Sequence, residues 1–463
     1  MKNRLLILGA SGLVLATASS KPKPNIIYVF ADQWRAQEFG FMGNENVETP
    51  NIDKFSSESL VFSRAYSNCP VSGAYRASLL TGTYPLTHGV FYNDKSLGNK
   101  FVSIADALNE AGYNTAYIGK WHLDGHGRDA FIPKERRLGF EYWKARECSH
   151  DYNHSFYFAD TPDTLRWKGY DAIAQTDDAI QYISSHDKNK PFALFLSWGP
   201  PHSPYNTAPE EFKAKYADLS KIKLRGNVPE MDQEKARKSL AGYYAHIAAL
   251  DYCMGKLMEA MKLNKLDKNT IFVFTSDHGD MQYSHGEINK QKPWEESICV
   301  PFLLKYPDHF GENKKVIGSI LNSPDIMPSI LSLAGVKIPT TVEGVDLSSY
   351  WIKGVESKDT VALIASYVPF HQWNVKRGGR EYRGIRTPRY TYVRDLKGAW
   401  LLYDNKVDGL QLNNLVNNPI YGTLQLSLDK LLNQKLKEHK DDFLSGNEYM
   451  KLWNYTYDKQ DLN

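Results

Sequence analysis

Residues 25–33 read NIIYVFADQ, a run of mostly apolar and β-branched side chains that ends in the carboxylate of Asp32. A run without polar alternation is typical of a strand buried on both faces of a parallel sheet. Residues 192–198 (FALFLSW) and 270–276 (TIFVFTS) show the same composition. Polar residues again follow these runs: His202 comes after Gly199-Pro200-Pro201, and Asp277 follows directly. We therefore predict a parallel sheet whose strands end in functional side chains, because ligands of such sheets bind beyond the carboxyl ends of the strands.

Helical patterns alternate with strands along most of the chain. The helices are indicated at residues 50–57, 103–111, 171–185 and 231–263, and further short strands at residues 60–65, 114–118 and 301–305. This alternation predicts an α/β fold in which a large, mostly parallel or mixed sheet is sandwiched by helices.

The pattern changes after about Gly354. Short alternating strands are indicated at residues 361–367, 382–387 and 390–394, followed by a helix at residues 424–438. These segments predict a smaller C-terminal α+β domain with an antiparallel sheet. We place the larger domain at residues 19–355 and the C-terminal domain at residues 356–463.

The first 18 residues have the character of a secretory signal. Lys2 and Arg4 precede an apolar run, and Ala16-Thr17-Ala18 is a small-residue cleavage site that implies a signal peptide over residues 1–18. The apolar run is too short to span a bilayer comfortably, and no cysteine lies near the cleavage site. We expect an exported, periplasmic protein without a stable membrane anchor.

Charge and cysteine content exclude several classes of protein. Without Lys2 and Arg4, the 56 basic residues fall to 54 against 53 acidic residues. A chain so close to neutral has no general attraction for nucleic acid, so nucleic acid is not an expected partner. The four cysteines include no C-x-x-C pair, and we expect buried free thiols, although one disulfide bond is compatible with the count.

Residues 69–82 read CPVSGAYRASLLTG and combine a small nucleophile, glycines and a cation. The composition of residues 74–80 predicts a helix that ends at Gly82, which places Ser72 at the helix N-terminus. Free backbone N–H groups at a helix N-terminus favour an anion, and Arg76 lies one turn further on. The alternative is that Ser72 only caps the helix and Arg76 is a solvated surface residue.

The surrounding letters favour the first interpretation. S-x-A-x-R-A-S-L-L-T-G resembles the signature of the formylglycine-dependent (type I) sulfatases of the alkaline phosphatase superfamily, which read C-or-S-x-P-x-R-x-x-x-L-T-G. Ser72 occupies the position that is oxidised to formylglycine, whereas Cys69 does not, because Gly73 rather than arginine stands four residues after it. Ala74 replaces the usual proline. The serine form implies a serine-type sulfatase-maturing radical enzyme as a partner.

The resemblance also implies a metal site. Asp32-Gln33 and Asp277-His278 resemble the paired metal motifs of the family, and together with Ser72 they are the predicted ligands of one calcium ion. Gln33 departs from the usual aspartate. Its amide still offers a carbonyl oxygen, but the site loses one negative charge.

Four further residues match family positions in order and context: Lys120 and His122 in GKWH, His202 in PPHSP, and Lys292. The resemblance implies that a hydrated aldehyde at residue 72 attacks the sulfur of a sulfate ester and later expels sulfate. Arg76, Lys120 and Lys292 would stabilise the dispersed negative charge. His202 is the candidate acid for the leaving alcohol, and His122 the candidate base for the elimination. His285 is a candidate for a residue that supports these side chains without contacting the substrate.

The predicted substrate is a sulfated carbohydrate. Polar residues that suit sugar hydroxyls and charges follow the GKWH motif or lie in the C-terminal part of the chain, namely Asp124, His126, Arg128, His371 and Arg377. Export and these residues favour O-sulfate on a galactose-type sugar or a hexosamine; the alternative for residues 124–137 is a solvated loop. Cys148, His150 and His154 could suggest zinc, but their spacing favours packing.

Two other functions stay open at this point. A phosphate or phosphonate monoester hydrolase of the same superfamily would use a similar set of metal ligands and cations, because these groups also hold a phosphoryl group. A non-catalytic protein that binds sulfated glycans could use the same site with an unmodified Ser72.

Overall fold

The computed structural model describes residues 22–357 and 361–457. The predicted signal peptide, residues 1–18, lies outside the described residues. The predicted α/β fold is confirmed, with one large sheet, flanking helices and a separate antiparallel sheet in the C-terminal part. Across the described ranges, no helix has both the length and the apolar character needed to cross a membrane.

The strands are numbered in chain order. They are β1 Asn25–Asp32, β2 Leu60–Phe62, β3 Ala65–Tyr66, β4 Asn114–Lys120, β5 Tyr142–Arg146, β6 Phe156–Tyr157, β7 Leu165–Arg166, β8 Phe192–Pro201, β9 Thr270–Ser276, β10 Cys299–Val300, β11 Phe302–Lys305, β12 Lys315–Ile317, β13 Leu321–Asn322, β14 Ala362–Ser366, β15 Tyr382–Arg386, β16 Tyr390–Asp395 and β17 Gly398–Asp404.

The helices are numbered in the same way. They are α1 Pro50–Ser57, α2 Ser72–Thr81, α3 Pro85–His88, α4 Ile104–Glu110, α5 Asp171–Ser185, α6 Glu210–Lys213, α7 Gln233–Leu263, α8 Glu295–Ile298, α9 Pro307–Phe310, α10 Ser323–Leu333, α11 Ser348–Lys353, α12 Gly422–Glu438 and α13 Gly446–Leu452.

The large sheet has the strand order β12-β2-β11-β9-β1-β8-β4-β5. Its centre is parallel: β1 pairs with β8 and β9, and β4 pairs with β8 and β5. The antiparallel strand β11 joins β9 to β2 and makes the sheet mixed. The carboxyl ends of β9, β1, β8 and β4 consequently lie side by side at one edge of the sheet.

Strand β1 shows why both faces of this sheet must be covered. Its side chains alternate, so that Tyr28 and Phe30 enter one apolar core while Val29 and Ala31 enter the other. Successive side chains of a strand point to opposite faces, and both faces of β1 are apolar. Helices α2, α4 and α10 cover the first face, and α1, α5 and α7 cover the second.

A four-stranded antiparallel sheet, β14-β15-β16-β17, forms the core of the C-terminal part. Leu428, Leu432 and Leu436 of helix α12 pack against this sheet at the four-residue spacing of one helical face. The sequence predicted three of the strands and missed β17, whose apolar run AWLLY lacks the alternation of its neighbours. The domain boundary at residue 355 stays a prediction.

Candidate active site

Four strand ends bring the predicted residues together. Asp32 ends β1 and Lys120 ends β4, while His202 and Asp277 directly follow β8 and β9. Because β9, β1, β8 and β4 are consecutive neighbours in the sheet, their carboxyl ends open into one crevice. All four side chains are buried there.

Ser72 is presented to this crevice by helix α2. It is the first residue of the helix, and Val71 occupies the cap position in an extended conformation. The hydroxyl does not cap the helix: Ser72 Oγ lies 3.2 Å from Asp32 Oδ2 and 3.0 Å from His278 Nε2. The predicted place at a helix N-terminus is therefore matched, while the capping alternative is not.

Two cations neutralise the carboxylates beside Ser72. The Arg76 guanidinium lies 3.1 Å from Asp277 Oδ2 and 3.4 Å from Asp32 Oδ2, and it also donates to Ser197 Oγ at 2.6 Å. Lys120 Nζ pairs with Asp32 Oδ2. Burial opposes ionisation of Asp32, but Lys120 and the other nearby cations hold the pKa of its carboxyl well below the usual value. Asp32 is therefore a carboxylate over the whole physiological pH range.

Three of the predicted metal ligands converge. Among the described residues, Asp32, Asp277 and His278 offer ligand atoms that lie within 4.8 Å of one another. His278 Nδ1 donates to the Gly279 carbonyl at 3.0 Å, so its Nε2 lone pair faces the cluster, as in metal-bound histidines. Burial lowers the pKa of His278 and keeps this ring neutral.

Gln33 completes a set of donors that fits a hard divalent cation. Its Nε2 donates to Asp280 Oδ2 at 2.6 Å, whereas its Oε1 is buried without a hydrogen-bond partner in the described structure. A buried carbonyl oxygen without a partner is costly, and a bound cation would satisfy it. Two carboxylates, an amide oxygen and an imidazole therefore fit the predicted calcium site.

His202 does not act alone in this crevice. Its Nδ1 donates to the Ser203 carbonyl at 2.8 Å, so Nε2 is an acceptor, and Lys290 Nζ lies 2.8 Å from it. Burial and the adjacent Lys290 lower the pKa of His202 well below its usual value. Burial also lowers the pKa of Lys290 despite the attraction of Asp32. The mobile proton of this pair is therefore on Lys290.

The structure puts Lys290, which the sequence reasoning missed, in the place expected for Lys292. Lys292 Nζ instead donates to the Ile288 carbonyl, lies 3.5 Å from Glu287 and sits over the Trp373 ring. Burial lowers the pKa of Lys292 to about 8. Both lysines occur in the run NKQK, and the sequence holds no signal that decides between them. The prediction for Lys292 is corrected in favour of Lys290.

His122 lies near the N-terminus of α2 and is held by a hydrogen bond to Asp94. Its Nε2 lies 3.2 Å from Asp94 Oδ1, and Arg128 donates two hydrogen bonds to the same carboxylate, at 2.8 and 3.1 Å. His122 Nδ1 is buried without a partner in the described chain. Burial and the nearby Lys120 lower the pKa of His122 to about 4, so the ring is a neutral base. The sequence predicts His122 and Arg128 as site residues, but no motif in it identifies Asp94.

The predicted substrate residues are placed differently from one another. The Asp124 carboxylate is buried in a bidentate pair with Arg136 at 2.7 and 3.1 Å, so its prediction as a substrate ligand is corrected. His126 Nδ1 lies 3.2 Å from the same carboxylate while half of its side chain is exposed. Arg128 is partly exposed and paired with Asp94, and its role as a substrate ligand stays a prediction.

The remaining candidates lie further out. His371 and Arg377 belong to two short helical turns. Phe370, directly before the first turn, forms hydrogen bonds with Gln291 of the loop that follows β9. Their substrate roles stay predictions. His285 stacks on Trp294 at 4.9 Å and lies 3.2 Å from Asn227, so it supports the loop and not the reacting groups.

The zinc alternative finds no support in the described part of the chain. His150 Nε2 lies 3.9 Å from Cys148 Sγ, and its ring stacks on His202 at 4.5 Å. His154 is exposed and pairs with Asp151. These three residues do not converge, and all four cysteines are free and buried.

The charges of the crevice suit an anionic substrate once a divalent cation is added. Three carboxylates, Asp32, Asp277 and Asp280, balance three cations, Arg76, Lys120 and Lys290. A divalent cation raises the total by two charges, which suits the dispersed charge of a reacting sulfate or phosphate ester. The geometry alone therefore leaves both ester classes open.

Comparisons with known proteins decide between them. The sulfatase family profile matches residues 24–336, and the profile of the N-sulphoglucosamine sulphohydrolase C-terminal region matches residues 284–439. The chain belongs to the sulfatase family. It is a sulfuric ester hydrolase, and the predicted family resemblance is confirmed.

Similar proteins cover almost the whole chain. An ulvan-active sulfatase of Formosa agariphila is 43% identical over 94% of this chain and 86% of its own length. An endo-4-O-sulfatase of Bacteroides thetaiotaomicron is 33% identical over 86% of this chain and 89% of its own. A solved structure from work on glycosaminoglycan metabolism by the same bacterium has a TM-score of 0.83 at 31% identity, covering 94% of this chain and all of that one.

Proposed function

We propose that this sulfatase removes O-sulfate from a sugar of a sulfated glycan, of the galactose or hexosamine type, using a formylglycine derived from Ser72 and one calcium ion. The observation that carries the proposal is the position of Ser72 Oγ, within 3.3 Å of Asp32 and His278 at the N-terminus of α2. Similarity to sulfatases whose names refer to ulvan and to a 4-O-sulfate supports the choice of a glycan.

The residues around Ser72 fit both the formylglycine and the calcium ion. A hydrated aldehyde at residue 72 supplies two geminal hydroxyls, one for attack on sulfur and one for release of sulfate. Asp32, Gln33, Asp277 and His278 would hold the calcium ion, which supplies positive charge beside the sulfate oxygens. Gly73 allows helix α2 to pack closely beside Ser72, since a Cβ at this position would lie 3.1 Å from a side-chain carbon of Val90.

The charged residues of the crevice have separable roles in the proposal. Arg76 and Lys120 hold and neutralise the oxygens of the sulfate while its charge disperses. Lys290, hydrogen-bonded to His202, holds the proton that the leaving sugar hydroxyl needs. His122, neutral above about pH 4, is the base that accepts a proton when sulfate is released. Asp94 fixes its orientation.

Two further parts of the proposal concern the cell. The serine at residue 72 requires a serine-type maturing radical enzyme, because the chain contains no group that could oxidise it. The signal-like sequence of residues 1–18 supports export to the periplasm. A sulfated carbohydrate is thus the proposed substrate and the maturing enzyme the proposed protein partner.

A comparison of ester classes tests the proposal. Protein co-expressed with a serine-type maturing enzyme is assayed on 4-nitrophenyl sulfate, 4-nitrophenyl phosphate and a phenyl phosphonate ester under identical conditions. We expect the sulfate ester to be hydrolysed fastest. Faster turnover of phosphate or phosphonate would favour the alternative hydrolase, and tight binding of sulfated glycans without release of sulfate would favour a binding protein.

A further inference from the structure

An open groove of about 710 Å³ lies beside the active-site crevice. Its walls come from the segment after β8 and from the first turns of α7, together with one residue of the loop after β9. We call it the Tyr205 groove, and its main side chains are Tyr205, Lys213, Tyr216, Lys235, Lys238 and Tyr283. The volume lies within the usual range for small-molecule sites.

The Tyr205 groove shares a wall with the crevice. Tyr205 stands three residues after His202, and its hydroxyl donates to Asp280 Oδ2 and accepts from Gln33 Nε2 at 3.4 Å. Tyr283, which also lines the groove, stands three residues after Asp280. The groove is therefore separated from the crevice by the side chain of Tyr205 and its contacts to Gln33 and Asp280.

The groove carries an excess of positive charge. Lys213 is paired with Glu210 of the lining at 2.7 Å. Lys235 lies 3.6 Å from Asp232 and is two-thirds exposed. Lys238 is exposed and forms no ion pair within the described ranges, so two ammonium groups on one face of α7 remain open to an anion. Exposed pairs of this kind are weak and exchange readily for another anion.

The tyrosines add apolar surface of a suitable kind. Tyr205, Tyr216 and Tyr283 line the groove, and the apolar face of a tyrosine ring suits the apolar face of a sugar ring. The hydroxyls of Tyr205 and Tyr216 are already bonded to Asp280 and to the Glu48 N–H group. An apolar peptide or a second copy of this chain would leave the exposed ammonium groups of Lys235 and Lys238 without a counter-charge. The positive charge of the groove and its position next to the crevice therefore favour one kind of occupant, an anionic sugar chain.

We propose that the Tyr205 groove binds anionic sugar residues of the glycan chain, next to the sugar that carries the scissile sulfate. This inference rests on the proposed function, because it assumes that the reacting sugar is bound at the Ser72 site. It implies that the protein binds a stretch of chain and that a polysaccharide is a better substrate than a small sulfate ester.

The double variant Lys235→Glu/Lys238→Glu tests the groove. The probes are ulvan, an anionic sulfated polysaccharide, and 4-nitrophenyl sulfate, which is too small to fill crevice and groove together. We expect the KM for ulvan to rise about tenfold at low salt, with less effect at high salt, because exposed charges are screened. The KM for 4-nitrophenyl sulfate should change by less than about twofold, since the charges removed lie outside the crevice.

The control variant is Lys221→Glu, an exposed lysine of the same segment that does not line the groove. The proposal would be overturned if the control variant raised the KM for ulvan as much as the double variant does. It would also be overturned if the double variant raised the KM for ulvan and the KM for 4-nitrophenyl sulfate equally. Unchanged ulvan kinetics with altered self-association in sedimentation would assign the groove to a second copy.

A binding measurement separates this inference from the proposed function. Ulvan is titrated into the Ser72→Ala protein with and without the two groove substitutions. Weaker binding of ulvan by the double variant would support binding of the glycan chain in the Tyr205 groove. If the matured wild-type protein then releases no sulfate, only the proposed function fails. Identical affinities would overturn the groove in either case.

Discussion

Lys290 Nζ lies 2.8 Å from His202 Nε2 at the carboxyl end of strand β8. His202 uses its Nδ1 hydrogen for the Ser203 carbonyl, so it can only accept from Lys290. The two residues form one unit in which the lysine carries the proton, and burial of Lys290 makes that proton easier to release.

Replacement of this lysine should therefore affect chemistry. Lys290→Ala is expected to lower kcat by about 10²-fold or more, because a positioned proton donor contributes on that scale. Lys292→Ala, two residues away and turned toward Glu287, is the matched control and should retain most of the activity. Steady-state kinetics on a sulfate ester decide the matter, and a larger loss in Lys292→Ala would restore the assignment made from the sequence.

Calcium should stabilise the native chain. Binding at 100 times Kd adds about 2.7 kcal/mol to the free energy of unfolding, so the melting temperature should rise with calcium concentration. Asp277→Asn removes a carboxylate of the ligand cluster and should abolish that rise. Asp178→Asn, which loses a pairing with Lys144 elsewhere in the fold, should keep it. A calcium response that survives in Asp277→Asn would place the ion somewhere else.

Asp94 should affect catalysis indirectly, through its contacts with His122 and Arg128. Asp94→Ala leaves His122 and Arg128 without their shared carboxylate, and kcat/KM should fall about 10- to 100-fold as the base loses its orientation. Asp129→Ala provides the control, because this exposed carboxylate pairs with Arg146 nearby. Asp94→Asn, which keeps a hydrogen-bond acceptor for both partners, should recover part of the lost activity. Equal activity of all three variants would contradict the role of Asp94.

Acid should weaken the fold through His246. Burial lowers the pKa of His246 to about 4, and the ring bridges the Tyr170 hydroxyl and the Pro204 carbonyl in its neutral form. The unfolded chain binds a proton near pH 6.5, so stability is full above that pH and is lost as the pH falls toward 4. His246 should thus account for a loss of about 2 kcal/mol between pH 8 and pH 5.

Urea unfolding at both pH values measures this contribution. The variant His246→Gln is less stable at pH 8, because its packing and hydrogen bonds change, but its stability should depend less on pH than that of the wild type. A pH dependence as steep as that of the wild type would show that other groups cause the loss.

The sequence predicted much of the fold because hydrophobic patterns report burial directly. Strands β1 and β9 are continuous apolar runs, and the residues that end them, Asp32 and Asp277, are part of the crevice. The loop that follows β9 could not be predicted. Asn289 and Gln291 adopt left-handed φ angles of 58° and 78°, which reverse the directions of neighbouring side chains. No propensity scale anticipates this, so the choice between two nearby lysines was wrong.

Contacts between segments that are distant in the sequence could not be predicted either. Asp94 holds a histidine 28 residues away, and Tyr205 contacts a carboxylate 75 residues away. Nothing in the local sequence distinguishes either residue from an ordinary loop side chain. The motifs identify the reacting groups, and tertiary structure is required to identify the residues that position them.

The central claim is that Ser72, once oxidised to formylglycine, cleaves a sulfate ester. The most direct measurement is sulfate release from 4-nitrophenyl sulfate and from ulvan by protein produced with and without a serine-type maturing enzyme, with the state of residue 72 read by peptide mass spectrometry. The account predicts release only by protein that carries the aldehyde, and none by Ser72→Ala with an unchanged melting temperature. Equal release by the unmodified serine form, or none by fully modified protein, would contradict it.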